Sequence, residues 1–413
     1  MLAVLASRHR QILVAALFGV ISLGLLYSIR LGGNLRFGDE QEYFRLARNL
    51  STSHSYTMYG TYPEIFRPPG YPFLLAMFMS IGAGVEFLRF VNFLALAASI
   101  YIVYLFLRKV SPAAGAIGVI LTVLYPVLFY TAGTLYPQTV AACMFLICMY
   151  IWSQATISRT LLVVSGLIYG CLILTVPTFA FMLFILICAR KLYNRYLSLR
   201  DLLVVCICVA GILGIWGIRN YEAYHSVVFV STNSGQMLLM GNSENTTPNN
   251  GPNADIDRYS KFAGEHQLNE VEREKYYKSS AAKWIMKHKS QAAKLYLLKT
   301  LNYFNYRNEL ATRSEESRGK DLVMIITYGP LLLLFLIRVL CAKTIPLSAP
   351  ETFFALLYIL NAFASAVFFT RIRYRLPVDY LLIYIVAAFL YQIANRYVAT
   401  IHGLRTKELS CSA

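Results

Sequence analysis

The stretch QILVAALFGVISLGLLYSI, residues 11–29, decides the fold class of this chain. It contains no charged side chain, and a helix of about 20 apolar residues is long enough to cross a membrane. Arg8, His9 and Arg10 precede it as in a secretory signal peptide. The run is longer than a typical signal core, however, and no small-residue cleavage site separates it from the polar loop that follows. The stretch therefore predicts a retained first membrane span.

The composition of the whole chain supports the same class. Of its 413 residues, 57% are apolar or aromatic and 14% are charged, whereas about a quarter are charged in an average soluble domain. The formal net charge of +17 first suggests a nucleic-acid partner. The charges punctuate apolar runs instead of forming one soluble patch, so we expect membrane lipids and lipid phosphates as partners and no nucleic acid.

The apolar runs predict an all-α polytopic membrane protein with about ten transmembrane helices. The fifth and sixth runs are short and flank Pro177, so one broken element is the alternative there. The run 71–84 is too short for a span and predicts a helix in the membrane interface. The ten predicted spans are 11–29, 88–107, 113–131, 138–154, 161–176, 178–190, 202–218, 322–340, 350–370 and 376–394.

Lysine and arginine in the short loops predict the orientation of these spans. They fall on one side if both termini are cytoplasmic, as the positive-inside rule requires. We therefore expect a membrane module at 1–218 with a first outer loop at 30–87, an outer region at 219–321, and C-terminal helices at 322–413. The outer region should be partly helical, from about 268 to 303. The residues that set the orientation are Arg8, Arg10, Arg108, Lys109, Arg159, Arg190, Lys191, Arg195, Arg200, Lys343, Arg396 and Arg405.

The first outer loop contains an acidic pair in GDEQEYFRLARNL, which begins at Gly38. Asp39 or Glu40 could act as a base on a hydroxyl group or coordinate a divalent cation. The alternative is that Asp39 caps a helix running through Tyr43 and Leu46.

The same loop contains FRPPGYPFLLA, residues 66–76. Its prolines fix the backbone, while Arg67 presents a forked cation suited to a phosphate. The alternative is a rigid turn into the interfacial helix, with Arg67 touching ordinary lipid headgroups.

The sequence RIRYRLPVDY, residues 371–380, separates the last two spans. Arg371, Arg373 and Arg375 are then expected at the outer face, where three guanidiniums at the edge of hydrocarbon favour anion binding over snorkelling. If the segment is helical, residues two apart diverge by about 200° and cannot all reach one phosphate. If it is extended, all three share a face.

A polar patch follows the seventh span in IWGIRNYEAYHSVVFVSTNSGQMLLMGNS, which begins at Ile215. Arg219, Asn220, Asn233 and Asn242 could hydrogen-bond a sugar, although the stretch is also an ordinary turn-rich loop. The eight cysteines show no disulfide or metal spacing, and no nucleotide-binding motif occurs. An activated substrate on the outer side would therefore arrive attached to a lipid.

Together, these motifs resemble the membrane-embedded glycosyltransferases of the GT-C fold, in particular the protein O-mannosyltransferase and lipid A aminoarabinose transferase branch. The resemblance implies a GT-C type helix bundle and inverting transfer from a polyprenyl-phosphate sugar in the outer leaflet. Carried over by motif, Asp39 is the base, with Glu40 and Tyr43 beside it, and Arg67 is the cation at the proline-rich turn. Further substrate-binding candidates are Tyr71, Arg219, Asn220, Asn233, Asn242, Arg371, Arg373 and Arg375.

The chain departs from the family pattern at two positions. TLYPQTV places Gln138 where relatives often have an acidic residue, and LTVP places Val176 where many have Arg or Lys. A divalent cation is therefore possible but not required, and no other cofactor is expected.

The sequence-based prediction is thus a hexosyl- or pentosyltransferase of the bacterial inner membrane, acting at the periplasmic face on a glycan, lipid or protein acceptor. The alternatives are a flippase or transporter for polyprenyl-linked glycans, and an O-antigen polymerase or ligase.

Overall fold

The computed structural model describes residues 1–154, 156–189, 198–307 and 318–411, with side chains up to residue 400. These residues are helical, and their only strand-like pairing is an isolated bridge between Thr57 and Pro63. The all-α polytopic class is therefore confirmed. The helices are α1 (Leu2–Leu31), α2 (Gly38–Ser53), α3 (Gly70–Met79), α4 (Val85–Arg108), α5 (Pro112–Val123), α6 (Pro126–Ala132), α7 (Gln138–Trp152), α8 (Arg159–Thr175), α9 (Phe179–Ala189), α10 (Leu199–Tyr224), α11 (Asn233–Gly241), α12 (Asp257–Glu265), α13 (Glu270–Lys287), α14 (Lys289–Asn302), α15 (Arg318–Leu340), α16 (Ala349–Ala366) and α17 (Ile372–Cys411).

Six described helices are long and apolar enough to cross a membrane: α1, α4, α10, α15 with the following turn, α16 and the first part of α17. The predicted span 113–131 is not one straight helix. It breaks into α5 and α6 with a bend of 62°, because Pro126 cannot continue the hydrogen-bond ladder of α5. Counting this pair gives seven candidate spans. Helices α7, α8 and α9, which we predicted as full spans, are shorter apolar helices.

Helix α17 lies at the centre of the bundle and α1 at its edge. In the most apolar 18-residue stretch of α17, 78% of the residues are buried, whereas in that of α1 only 22% are buried. Helix α17 packs against α5, α7, α15 and α16, whereas α1 packs mainly against α4 and α5. The exposed apolar side chains of α1, such as Phe18 and Leu26, suit contact with lipid.

The predicted break at Pro177 is present, since residues 176–178 separate α8 from α9. The Tyr169 hydroxyl spans the break by donating a hydrogen bond to the Phe179 carbonyl at 3.0 Å. Helix α3 packs closely against the end of α8. A Cβ atom on Gly70 would overlap Thr175, so this proline-rich turn requires glycine there. Helices α13 and α14 cover the part of the outer region that we predicted to be helical.

The basic loop residues and the acidic pair lie at opposite ends of the bundle. His9 near the start of α1 stacks on Tyr104 near the end of α4, and Lys109 donates to Ser153 after α7. The acidic pair follows the other end of α1. This separation is consistent with the predicted orientation, although Arg190, Lys191 and Arg195 lie outside the described residues.

An ion pair that is buried in the bundle joins Arg375 and Asp379 of α17, and both side chains are 0% exposed. Their nitrogen and oxygen atoms are 3.1 Å apart. Tyr125 and Tyr358 donate hydrogen bonds to the carboxylate at 2.9 and 3.2 Å, and the Tyr328 ring centre lies 3.6 Å from the guanidinium carbon. The carboxylate thus holds together α17, α16 and the α5–α6 bend. Sequence analysis did not single out Asp379, although an Arg and an Asp four residues apart in a helix are a recognisable pair.

We expect Asp379→Asn to destabilise the protein in detergent by about 3–5 kcal/mol, because Arg375 would keep a buried charge without a counterion. Thermal unfolding of the purified protein measures this loss. Glu270→Gln is the control, since its partner Arg273 is 40% exposed and that pair should contribute about 1 kcal/mol or less. An Asp379→Asn variant as stable as the wild type would contradict the assigned role.

Candidate active site

The acidic pair lies in the first turn of α2, and its two carboxylates have different surroundings. Glu40 is 0% exposed. One of its oxygens accepts from the Arg36 and Phe37 amides at 2.7 and 3.1 Å, and the other accepts from the Leu135 amide at 2.8 Å. Glu40 therefore caps α2 and ties it to the start of α7, so it is not free to act as a base. The helix-cap role that we considered for Asp39 belongs to Glu40.

Asp39 is held between two arginines from distant parts of the chain. Arg67 Nη2 donates to one carboxylate oxygen at 2.7 Å, and Arg373 Nη1 donates to the other at 2.6 Å. The Asp39 side chain is 22% exposed, so solvent or a substrate can reach it. The structure thus brings together the acidic pair, the proline-rich turn and the first turn of α17. Pairs of this kind are stronger than hydrogen bonds between neutral groups.

Arg67 also contacts a carboxylate that sequence analysis missed. Its Nε donates to Glu42 at 2.6 Å, and its guanidinium carbon lies 5.4 Å from the centre of the Tyr43 ring. Glu42 follows Asp39 by three residues, a spacing that places both on one side of α2. That spacing in GDEQEYF could have identified Glu42. Arg67 is accordingly held in place by Asp39, Glu42 and Tyr43 together.

These contacts keep Asp39 ionised. Burial raises the pKa of Asp39, but the nearby charges of Arg373 and Arg67 attract the carboxylate and hold its pKa below the usual value. At neutral pH the Asp39 carboxylate is therefore available to accept a proton. It can take one only from a nearby attacking group, and only because the acidity of that group rises during the reaction.

Arg371 is the cation at this site that has no anionic partner. Among the described residues its guanidinium forms neither a hydrogen bond nor an ion pair. Burial lowers the pKa of Arg371, and the charge of Arg373 lowers it further. Arg373 itself has a buried Nε atom without a hydrogen-bond partner in the described part of the chain. Asp39 and Glu42 are paired with Arg67 and Arg373, and Glu40 accepts from backbone amides, so Arg371 is left without a hydrogen-bonded carboxylate.

The arginine segment is helical from Ile372, so the extended alternative is wrong. The three arginines diverge as helical geometry requires: Arg373 contacts Asp39, Arg375 points into the core, and Arg371 precedes the helix. Tyr136 and Tyr374 flank Arg373, with ring centres 5.6 and 5.3 Å from its guanidinium carbon. Arg375 is therefore occupied by Asp379 and is not placed to bind a ligand.

The remaining predicted binding residues hold the scaffold together. The hydroxyl of Tyr71 is 3.1 Å from the amide nitrogen of Asn92, which donates to it. Arg219 donates to the Glu64 and Tyr56 carbonyls at 2.8 and 3.1 Å and so fastens the first outer loop to α10. The last three are engaged by hydrogen bonds at helix ends: Asn220 donates to Val228, Asn233 accepts from Ser231, and Asn242 donates to Leu238 and Val367.

The two departures from the family pattern are both buried. Gln138 begins α7, and its Oε1 accepts no hydrogen bond from the described residues. Val176 ends α8 in an extended conformation. In the described part of the chain, no group of three or more His, Cys, Asp or Glu side chains is arranged to hold a metal ion. Because Asp39 faces two guanidiniums instead of a second carboxylate, we derive no step through a metal.

Two solved structures can be compared with this chain over most of its length. The structure of ArnT from Cupriavidus metallidurans bound to undecaprenyl phosphate is 13% identical, with a TM-score of 0.42, over 92% of this chain and 77% of that one. The Archaeoglobus fulgidus oligosaccharyltransferase, tethered to an acceptor peptide containing the NVT sequon, is 15% identical, with a TM-score of 0.48. That comparison covers 94% of this chain and 51% of the other. Both scores are below 0.5, so neither structure assigns a role to a residue here.

The model of the dolichyl-phosphate-mannose-protein mannosyltransferase family matches residues 66–216. No curated protein matches the chain. The matched segment begins in the FRPPGYP turn and ends at Trp216 in α10, and it leaves Asp39 and the arginines of α17 outside. Residues 66–216 thus match the model of a GT-C glycosyltransferase family, in agreement with the resemblance that the motifs indicated.

Proposed function

We propose that this protein transfers a sugar from a polyprenyl-phosphate donor to a hydroxyl group of an acceptor, with inversion at the anomeric carbon. The main support is the bridged carboxylate of Asp39, which lies between two guanidiniums beside a third cation without an anionic partner. A carboxylate beside a guanidinium that no carboxylate occupies suits a reaction that removes a proton at one point and stabilises a departing phosphate at another.

In the proposed reaction, the acceptor oxygen attacks the anomeric carbon while its proton passes to Asp39. The bond between that carbon and the phosphate oxygen breaks, and its electron pair leaves with the polyprenyl phosphate. The anomeric carbon has oxocarbenium character in the transition state, as in other glycosyl transfers. Because a glycosyl phosphate already has a good leaving group, the site needs to hold the phosphate and deprotonate the acceptor.

Arg371 and Arg373 are our candidates for the phosphate. Arg371 has no hydrogen-bond or ion-pair partner among the described residues, and the Arg373 side chain remains 26% exposed, so both can form charge-assisted hydrogen bonds with phosphate oxygens. Arg67 has two carboxylate partners and is better suited to orient Asp39. We therefore revise the phosphate role suggested for Arg67 by its motif to a positioning role.

A flippase for a polyprenyl-linked glycan is the second candidate. It is favoured by the Arg375–Asp379 pair inside a candidate span, because intramembrane charges often mark transport paths. Asp379 accepts hydrogen bonds from two tyrosines and Arg375 donates to backbone carbonyls, which suits a fixed structural role better. A flippase would move the lipid without forming a new glycosidic bond, so an assay for transferred sugar separates the two functions.

We also propose that the site faces the non-cytoplasmic side of a bacterial inner membrane and that both termini are cytoplasmic. The separation of the basic loop residues from the Asp39 end supports this orientation. The sugar can be a hexose or a pentose, and the acceptor can be a glycan, a lipid or a protein.

We expect Asp39→Asn to lower sugar transfer by roughly 10²-fold or more, because an amide cannot accept the acceptor proton. Turnover by purified protein with lipid-linked sugar measures this. Glu265→Gln on α12 is the matched control, because this carboxylate is exposed and lies outside the site, so transfer should stay within about threefold. Nearly normal transfer by Asp39→Asn would exclude it as the base.

We expect Arg371→Ala and Arg373→Ala each to weaken binding of undecaprenyl phosphate by about tenfold or more, the scale of a lost charge-assisted hydrogen bond. Titration of the detergent-solubilised protein with this lipid gives the affinities. Arg45→Ala, an exposed arginine on α2, is the control and should bind normally. Normal binding by both test variants would refute the phosphate assignment.

The orientation predicts which introduced cysteines react from outside. In a variant without native cysteines, Glu265→Cys on α12 should react with a membrane-impermeant maleimide applied to intact spheroplasts, and Arg159→Cys at the start of α8 should not. Both positions are exposed in the structure, so access to the reagent depends on the side of the membrane. The reverse labelling pattern would invert the topology and place the site in the cytoplasm.

A further inference from the structure

The short segment 299–305, at the end of α14 and just beyond it, contacts both ends of the turn 368–375. That turn contains Arg371 and Arg373. Helix α14 belongs to the outer region, and its residue Lys299 precedes Phe368 by 69 residues in the sequence. None of the residues of 299–305 was predicted to have a function.

Lys299 forms the first of these contacts from a fully buried position, at 0% exposure. Its Nζ donates to the Gly241 carbonyl at 2.7 Å, to Asn242 Oδ1 at 3.2 Å and to the Phe368 carbonyl at 2.7 Å. An ammonium group has three donors, and each has an acceptor here. The three acceptors belong to the end of α11 and to the segment that follows α16, so one side chain joins three parts of the chain.

Burying Lys299 costs desolvation free energy, because none of these three partners is a carboxylate that would offset it. Burial lowers the pKa of Lys299 to about 7. An apolar side chain of similar size would avoid this desolvation cost. A lysine that only filled space would therefore stabilise the fold less than methionine, whereas a lysine that fixes three carbonyl-type oxygens gives the junction a defined geometry.

Close backbone packing reinforces the junction. A Cβ atom on Gly241 would overlap the carbonyl of Phe368, so α11 ends directly against the segment that leads into the turn. Asn242 Nδ2 donates to the Val367 carbonyl at 2.9 Å. The start of the turn is thus held from one side by α11 and from the other by Lys299.

The same segment of α14 also holds the turn further along. Thr370 Oγ1 donates to the Lys299 carbonyl at 3.0 Å, and Asn302 Nδ2 donates to Thr370 Oγ1 at 3.0 Å. Arg375 follows Arg371 and Arg373 in the sequence, and it contacts the same segment. Its Nη1 donates to the carbonyls of Tyr303 and Asn305 at 2.9 and 2.8 Å. Arg371 and Arg373 therefore lie between two fixed points supplied by one stretch of backbone.

We propose that Lys299 is a positioning residue for phosphate binding: it fixes the turn 368–375 so that Arg371 and Arg373 converge beside Asp39. The inference rests on the proposed role of those two arginines. Lys299 does not touch the donor; it acts through the Phe368 carbonyl and the Thr370 contact. The outer region is thereby part of the phosphate site, because its helices α11 and α14 hold the arginines in place.

The experiment compares Lys299→Met with Lys294→Met, an exposed lysine on the same helix, by titrating each purified protein with undecaprenyl phosphate. Lys299→Met should weaken binding by about tenfold, close to the loss for Arg373→Ala, and Lys294→Met should bind normally. The same substitution is then made in an Arg371→Ala/Arg373→Ala background. There, Lys299→Met should cause no further loss, because the groups that it positions are gone.

Each outcome has a distinct meaning. If the double arginine variant binds undecaprenyl phosphate normally, the proposed function fails and the inference fails with it. If that variant loses binding but Lys299→Met binds normally, the inference alone is overturned. An equal further loss in the arginine-free background would mean general destabilisation and would also overturn it.

A second variant covers the case in which Lys299→Met does not fold. Thr370→Val keeps the volume of the side chain but removes the hydroxyl that joins the turn to the Lys299 carbonyl and to Asn302. It should weaken binding of undecaprenyl phosphate by about threefold, the smaller loss expected for a neutral hydrogen bond. Unchanged binding by a folded Thr370→Val protein would contradict a positioning role for this junction.

Discussion

The ion pair between Asp39 and Arg373 joins the first outer loop to the last membrane helix, across 334 residues of sequence. The rest of the site is organised around it. Glu40 fixes the start of α2 by accepting backbone amides, which leaves the Asp39 carboxylate directed at the arginines. Arg67 then approaches from the proline-rich turn and takes the second carboxylate oxygen. Without this pair, Arg373 would have no carboxylate partner among the described residues, and Asp39 would bind only Arg67.

The buried arginines of this protein fall into two groups, those that bind a carboxylate and those that bind backbone carbonyls. Arg375 and Arg338 each have a carboxylate inside the bundle, Asp379 and Glu351 respectively. Arg89 and Arg219 instead bind backbone carbonyls of the first outer loop and hold its path. Burying a guanidinium is costly unless its donors are satisfied. Against this background, the donors of Arg371 that have no partner among the described residues are the reason why we propose an anion site there.

Much of the fold could be predicted because hydrophobic length and loop charge are local properties of the sequence. The runs at 11–29 and 88–107 gave helices at the expected places, and the break at Pro177 follows from proline chemistry. The bend before Pro126 was missed because the run 113–131 is uniformly apolar and hydropathy does not register a kink. The meeting of Asp39, Arg67 and Arg373 could be suggested only by family resemblance, since no local pattern relates residues so far apart. Lys299 was missed because its partners are backbone and amide oxygens on distant segments. Asp379 was missed although its spacing of four residues from Arg375 could have identified the pair.

The long sequence separation of the Asp39–Arg373 pair also determines the order in which the site can assemble. Helices enter a membrane from the N-terminus as the chain is synthesised, and domains fold in the same order. Asp39 and Arg67 are therefore in place together long before α17 exists, and their carboxylate has only one of its two cations. The arginines that we propose for the phosphate arrive only with the last membrane helix. On the proposed function, a chain that lacks α17 would therefore contain the base but not the groups that bind the donor, and it would be inactive until its synthesis is almost complete.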